Sequence, residues 1–424
     1  MTTPGDGQGS AARALTGPIL NITLINLVFF SGYLFFFPTL PFFIDELGGR
    51  ESEIGLLIGI SSLTSLACRP FVGYFVDRNG RKPVLVIGLF IFIINCLLHN
   101  FATSPAAVLP LRLLTGASLA AVITAATTFI ADMAPPDKRG SALSYFALSN
   151  AVGFAIGPAL GGFIINSSIF DGFDSALTGR FDWLSGAQTG DFNFTTMFLV
   201  AALIGLIGMI MAMLLPESRP DSTPKPGRPG IRDLVAREAA IPGLVNFAVA
   251  FSFAGMVTFM PLFARDIGLE NPGNLFIAYA AFVILMRFTV GPFIDRFSRA
   301  TVIAPSIVVL IATMLVVVIA DSVFMLFVAA SLWGIGAGVF QPSMMAYAVD
   351  RSRPETRGRA MSTFTMGMDL GISIGSLSLG LVVEAAGFQP AYSMAAIVIA
   401  AGLALFLWSW FRQPGPAAAP STAA

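Results

Sequence analysis

Apolar residues in this chain come in long runs, not in alternation. Twelve runs fall near 18–41, 53–75, 83–103, 105–132, 140–166, 194–216, 240–263, 273–294, 301–320, 322–349, 358–386 and 389–411. Most hold roughly 20 residues, the length of helix that crosses a hydrocarbon core about 30 Å thick. The alternation over about 10 residues that marks a membrane barrel is absent. The pattern predicts an all-α integral membrane protein with twelve transmembrane helices, numbered here as spans one to twelve.

Composition agrees: 55% of residues are hydrophobic and 11% are charged, against about 25% charged in soluble domains. The net charge is zero, but its distribution is lopsided. With the N-terminus in the cytoplasm, 18 of the 24 Lys and Arg residues lie in inner loops and termini, and only Arg50, Arg180 and Arg265 lie outside. Arg69, Arg112 and Arg287 fall within spans. Positive residues collect on the cytoplasmic side of membrane proteins. The expected protein is therefore multi-pass in the inner (cytoplasmic) membrane, with both termini cytoplasmic. The first seventeen residues lack the basic region, short apolar core and cleavage site of a signal peptide. Cys68 and Cys96 fall inside apolar runs and read as buried thiols. The single His99 has no Cys/His partner spacing, so no metal site is expected.

The stretch "PESRPDSTPKPGRPG" from Pro216 carries five prolines and reads as a cytoplasmic linker. It divides the spans six and six. The expected organisation is a disordered N-terminus over 1–17, a six-helix bundle over 18–216, a linker over 217–239, a second bundle over 240–412 and a disordered tail over 413–424. The halves match at a shift of 218: Arg69 meets Arg287, Gly73 meets Gly291, Asp77 meets Asp295, Arg78 meets Arg296, Gly116 meets Gly334, Asp132 meets Asp350, Arg139 meets Arg357 and Gly157 meets Gly375. Apolar composition alone does not generate such coincidences of charge, Gly and Pro. A duplicated six-span unit is a transporter architecture.

Three stretches carry a family resemblance. "GYFVDRNGRK" (Gly73–Lys82), "LRLLTGASLAA" (Leu111–Ala121) and "GFAIGPALGG" (Gly153–Gly162) resemble the signatures of the major facilitator superfamily, the last of them shared by its twelve-span drug/proton antiporters. The resemblance covers about residues 15–412. It implies two six-helix bundles related by a pseudo-two-fold axis, rocking about a midplane cavity lined by spans one, four, seven and ten.

The charged loops read as a conformational latch on the inner rim: Gly73, Asp77, Arg78, Gly80 and Arg81 in the first half, Asp295 and Arg296 in the second, with Asp132, Arg139, Asp350 and Arg357 at the ends of neighbouring spans. Gly73 is expected to admit a close helix. Asp77 is expected to accept bonds from helix N-terminal amides or to pair with an arginine. Arg69 and Arg287 are expected to snorkel or to pair with Asp132 and Asp350. Gly153, Gly157, Pro158, Gly161 and Gly162 make a smooth helix-packing face on span five.

An ionisable side chain deep in a span is a functional hypothesis in itself. Asp369, in span eleven, and Arg112, in span four, are the candidates for proton coupling or substrate contact, both placed in the outer half of the membrane. A fixed structural hydrogen bond for Asp369, to backbone or to Arg112, is the competing reading. Asn26, Tyr33, Thr115, Asn246, Trp333 and Gln341 are candidate cavity residues, few among many Phe and Met side chains, which suits a partly apolar substrate. The long outer loop over 166–193 reads as a solvated insertion or a cover for the outer mouth.

The expected function is secondary active transport by alternating access, with proton-coupled efflux of small amphipathic compounds. A proton symporter or facilitator importing a small organic solute, and a lipid or glycolipid flippase, stand as alternatives on the same fold. Nothing in the sequence suggests an enzyme, since no metal spacing, nucleophile motif or acid–base cluster is present. No cofactor and no nucleic-acid partner is expected. The partners are a small-molecule substrate, protons and the lipid bilayer, and the chain is expected to be a monomer.

Overall fold

The computed structural model describes residues 17–134, 139–180, 192–218, 236–269, 271–290, 297–352 and 357–412. Every regular element among them is a helix. Ten helical segments are long and apolar enough to cross a bilayer, and two shorter apolar helices, Val152–Asn166 and Gly273–Thr289, fall where spans five and eight are expected. All twelve apolar runs are thus helical. Most linker residues, the tails, loop residues 181–191, and Asp295 and Arg296 lie outside the described residues, as do the side chains of Arg139 and Arg357.

Local chemistry sets several boundaries. Span four (Pro105–Met133) opens with Ser104, whose hydroxyl accepts from the Ala107 amide, and with proline at its first position. Span two (Glu51–Asn79) opens with the Glu53 carboxylate accepting from the Arg50 amide at 2.9 Å. Spans one and seven are each broken near the outer end. The first continues from Gly17–Tyr33 into Phe36–Glu46, the second from Ala240–Thr258 into Met260–Asp266. Pro38, Pro41 and Pro261 each lack the amide that would continue the helix. Both short helices end in the same way. Gly48 (φ 81°) and Gly268 (φ 94°) take the left-handed conformation, and the amides of Gly49 and Leu269 reach back to Ile44 and Ala264, each at 2.9 Å. The equal spacing of Pro41–Gly48 and Pro261–Gly268 in the sequence marks this repeat.

The halves meet through span two against span eleven (Arg357–Ala386), and span five (Arg139–Asn166) against span eight (Gly273–Thr289). Their closest approaches are built on glycine. Gly55 faces Gly380, with a Cβ on Gly55 falling 2.2 Å from the Ser376 carbonyl oxygen. Gly162 faces Gly273, with a Cβ on Gly162 falling 2.9 Å from the Gly273 Cα. A shift of 218 carries Gly55 onto Gly273 and Gly162 onto Gly380, so the two contacts are one contact written twice.

These approaches lie at the outer ends of their helices, in the orientation given by the basic loops. Ion pairs join the halves there too: Arg265 with Asp45, Arg265 with Glu46 at 4.0 Å, and Arg50 with Glu384 at 3.7 Å. At the inner end of span two Phe71 is 70% exposed, and a Cβ on Gly73 would meet nothing within 4 Å. The glycine and ion-pair contacts between the halves thus gather at the end that the basic loops mark as outer. The close helix expected at Gly73 is not present among the described residues.

Candidate functional site

A central cavity of about 130 Å³ opens between the halves. From the first half it is lined by Phe30, Tyr33, Ile58, Ser61, Arg69 and Arg112, and from the second by Phe253, Val257, Thr258, Met368, Asp369 and Ile372, among others. Tyr33, Arg112 and Asp369, three of the residues singled out in the sequence, are thus brought together. Spans two and eleven supply much of the wall, and span ten (Val323–Asp350) supplies none of its lining residues. The expectation of a wall from spans one, four, seven and ten is corrected in that respect. Spans two and eleven press against each other across the interface, so their facing sides become the wall.

Asp369 is 3% exposed. Its Oδ2 lies 2.8 Å from Nη2 of Arg69, and Nη1 of Arg69 donates to the Thr365 hydroxyl at 3.1 Å. The pair therefore bridges the two halves. It is an ion pair in character, since the Oδ2 atom has no aligned hydrogen bond. Twelve residues separate Asp369 from the inner end of its helix and seventeen from the outer end, which places it inside the midplane, not in the outer half.

Arg112 is also 3% exposed, and its surroundings differ. Its Nε donates to the Leu57 carbonyl at 3.0 Å, Nη2 to the Ser61 hydroxyl at 2.8 Å and Nη1 to the Thr115 hydroxyl at 3.4 Å. All three acceptors are neutral. Thr115 also accepts from Asn95 at 2.9 Å, and the Asn95 carbonyl lies 2.7 Å from Nδ1 of His99. A polar seam thus runs from the cavity toward the outer end of span three (Arg81–His99).

Other candidates serve the scaffold in this arrangement. Asn26 donates to Ser149 at 2.8 Å and to Asn150, tying span one to span five. Asn246 donates to the Phe364 carbonyl at 3.0 Å, tying span seven to span eleven. Trp333 packs on Tyr279 with ring centres 4.1 Å apart. Gln341 is half-buried and does not line the cavity. Gly153, Gly157 and Gly161 lie against Phe30, Leu34 and Phe35 of span one, and Pro158 is buried with them. Of these glycines Gly162 reaches the other half, and Phe154 between them meets Phe253 and Tyr279 there.

On the inner rim Arg81, not Arg69, pairs with Asp132, at 2.7 Å, and Arg299, not Arg287, pairs with Asp350, at 2.8 Å. Both arginines precede their acids by 51 residues, and this recurrence was the available sequence signal. Asp77 lies 3.7 Å from Arg81, and Arg78 donates to the Tyr74 hydroxyl at 2.9 Å. Another carboxylate takes the helix N-terminus: Glu217, just past span six (Phe194–Met213), accepts from the amides of Arg81 at 2.9 Å and Lys82 at 3.2 Å. Gly80, at φ 103°, makes the turn that lets it approach.

At the outer surface Asp174, 5% exposed, accepts from the amide and the hydroxyl of Thr196, each at 2.7 Å. That part of the long outer loop is docked on the N-terminus of span six. Burial lifts the Asp266 carboxyl above its ordinary range; Asp45 and Glu51 add to the lift and Arg265 opposes it.

The duplication separates the cavity's chemistry from its scaffold. The shift of 218 carries Arg69 onto Arg287, but it carries Asp369 back onto Ala151, Thr365 onto Ala147, Thr258 onto Leu40 and Arg112 forward onto Ala330. Asp369, Thr365, Thr258 and Arg112 thus occur once, and Arg69 occurs twice. The glycine contacts and the rim pairs occur twice.

The sequence model of the Major Facilitator Superfamily matches residues 22–276 and 267–424, and the chain belongs to that superfamily. It is 25% identical over 403 residues to the quinolone resistance protein NorA of Staphylococcus aureus, covering 90% of this chain and 95% of that protein. It is 25% identical over 409 residues to multidrug resistance protein 1 of Bacillus subtilis, covering 91% of this chain and 95% of that one. Its fold is similar to a bacterial homologue of the human lysosomal transporter Spinster in an inward-facing, occupied conformation. There the TM-score is 0.77 at 15% identity, over 97% of this chain and 98% of the other. The nucleoside transporter NupG gives a TM-score of 0.64 at 16% identity, over 92% of this chain and 99% of that one.

Proposed function

We propose that this transporter exports small amphipathic compounds across the inner membrane by proton-coupled alternating access, as a monomer with both termini in the cytoplasm. The observation that carries the reading is the Arg69–Asp369 pair, a titratable contact between the halves on the wall of the central cavity. The relatives named for quinolone and multidrug resistance support export as the direction.

In the inward-facing arrangement Arg69 is paired with Asp369, and the cavity receives its compound from the cytoplasm. Rocking to the outward-facing arrangement parts the outer ends of spans two and eleven, opens the cavity to the outside and loosens the Arg69–Asp369 contact. A carboxylate left in an apolar cavity without its cation takes up a proton, here from the outside. On return, the approaching guanidinium restores the charged form, and the proton leaves to the cytoplasm. Each cycle moves one proton in and one compound out. The paired rim contacts, Arg81–Asp132 and Arg299–Asp350, keep each inner rim rigid while the bundles move as bodies.

Proteoliposomes test this. A fluorescent quinolone is expected to move against its gradient when a pH difference is imposed, and to stop when nigericin collapses that difference. Asp369→Asn is expected to bind the compound but to lose the pH-driven movement. Transport by Asp369→Asn that still follows the imposed pH difference overturns the assignment.

A further inference from the structure

We propose that the central cavity selects amphipathic anions, compounds that carry a carboxylate, sulfonate or phosphate on an apolar body, with Arg112 as their counter-charge. The proposal rests on the export reading and adds the chemical class of its substrate. The ionisable side chains of opposite sign on the cavity wall are unequal in number: two guanidiniums, Arg69 and Arg112, against one carboxylate, Asp369. Asp369 is matched by Arg69. Among the described residues no carboxylate lies within ion-pair distance of Arg112, and its hydrogen bonds to Leu57, Ser61 and Thr115 all go to neutral oxygens. A guanidinium has five N–H donors, so two remain for a ligand. A buried charge that is held but not paired is costly, and an anion removes that cost.

A second group points into the same space. The hydroxyl oxygen of Thr258 is fully buried and has no hydrogen-bond partner among the described residues, and Thr258 lines the cavity from the second half. A ligand that meets Arg112 at one end and Thr258 at another touches both halves. The rest of the wall, with Phe30, Phe154, Phe253 and Met368, suits an apolar body. A cation would meet an excess of positive charge there.

A matched set of probes tests this on the purified full-length protein: 11-(dansylamino)undecanoate, its carboxamide and the corresponding alkylammonium, read by dansyl fluorescence. The carboxylate is expected to bind about ten-fold more tightly than the carboxamide, and the ammonium more weakly than both. Arg112→Gln is expected to erase the preference while carboxamide binding persists, and Arg112→Lys to keep part of it. Equal binding of the three probes by the parent protein overturns the proposal even if no Arg112 variant folds. So does an unchanged preference in a folded Arg112→Gln.

Proteoliposomes separate this proposal from the export reading. Proton-driven export of all three probes without preference leaves the export reading standing and overturns the anion site. An Arg112-dependent preference in binding, with no probe moved by a pH difference, supports the anion site and overturns the export reading. A lipid headgroup offers the same chemistry, so labelled phosphatidylglycerol is assayed alongside. Arg112-dependent flipping of it supports an anion that arrives on a lipid, and Arg112-dependent export of the carboxylate supports a free one.

Discussion

Arg69 of span two and Asp369 of span eleven meet at 2.8 Å across the boundary between the two halves. They belong to different copies of the duplicated unit and lie 300 residues apart. Each is held by a helix that packs on the other at its outer end. The contact therefore ties the cavity's one carboxylate to the opposite bundle.

Removing one partner leaves the other buried, which costs about 3–5 kcal/mol when both are fully enclosed. The Arg69 side chain is 22% exposed and the Asp369 side chain 5%, so the cost of Arg69→Gln should fall at about 2 kcal/mol, below that range. The double variant Arg69→Gln/Asp369→Asn should be more stable than Arg69→Gln alone. Thermal unfolding in detergent measures this, and simple additivity of the two losses would falsify the pairing.

The glycine contacts predict a conformational lock. A leucine at position 55 cannot coexist with the Ser376 carbonyl, which would lie 2.2 Å from its Cβ. Gly55→Leu should hold the outer ends apart, and Gly162→Leu should do so on the symmetric side. The expected result is loss of transport by at least about ten-fold, with a cysteine placed at Thr258 becoming reactive to a membrane-impermeant maleimide from outside. Wild-type transport by Gly55→Leu refutes the lock.

The two rim pairs predict unequal costs despite their common origin. Arg81 is 6% exposed and also donates to the Val76 carbonyl at 3.1 Å, whereas the Asp350 side chain is 52% exposed. Arg81→Gln should cost about 1–3 kcal/mol, since it strands buried acceptors. Arg299→Gln should cost less than about 1 kcal/mol, as exposed pairs do. Matched melting curves decide it; equal losses count against the reading.

Asp266 predicts a small pH effect on the closed outer end. Its carboxyl is lifted above 3.8 in the fold, burial being the main cause. A group that holds its proton more tightly when folded opposes folding once ionised. The opposition is therefore absent below the ordinary carboxyl range and grows as pH rises through the lifted value. Asp266→Asn should melt slightly higher than the parent near pH 7 and equally near pH 3, with a gain well below about 1 kcal/mol because the residue is mostly solvated. A lower melting point for the variant near pH 7 contradicts the sign.

The membrane-spanning helices and their two-bundle organisation were legible from the chain alone. Hydropathy and charge act through nearest neighbours and through contact with lipid and water, so no tertiary contact is needed to read them. The duplication was legible for the same reason, and it carried more than was read from it: Gly55 with Gly273, Gly162 with Gly380, and Arg81 with Arg299 all recur at the same shift. The partners inside the membrane were not legible. Spans of this kind are apolar on every side and carry no stripe that says which face looks inward. Asn26 and Asn246 read as cavity residues for that reason, and the rotation of their helices turns them into ties between spans. The same rotation, together with the glycine-to-glycine approach of spans two and eleven, brings Arg69 to Asp369 and leaves Arg112 among neutral acceptors. Sequence placed the charges on their helices; only packing between helices far apart in the chain decided which of them meet.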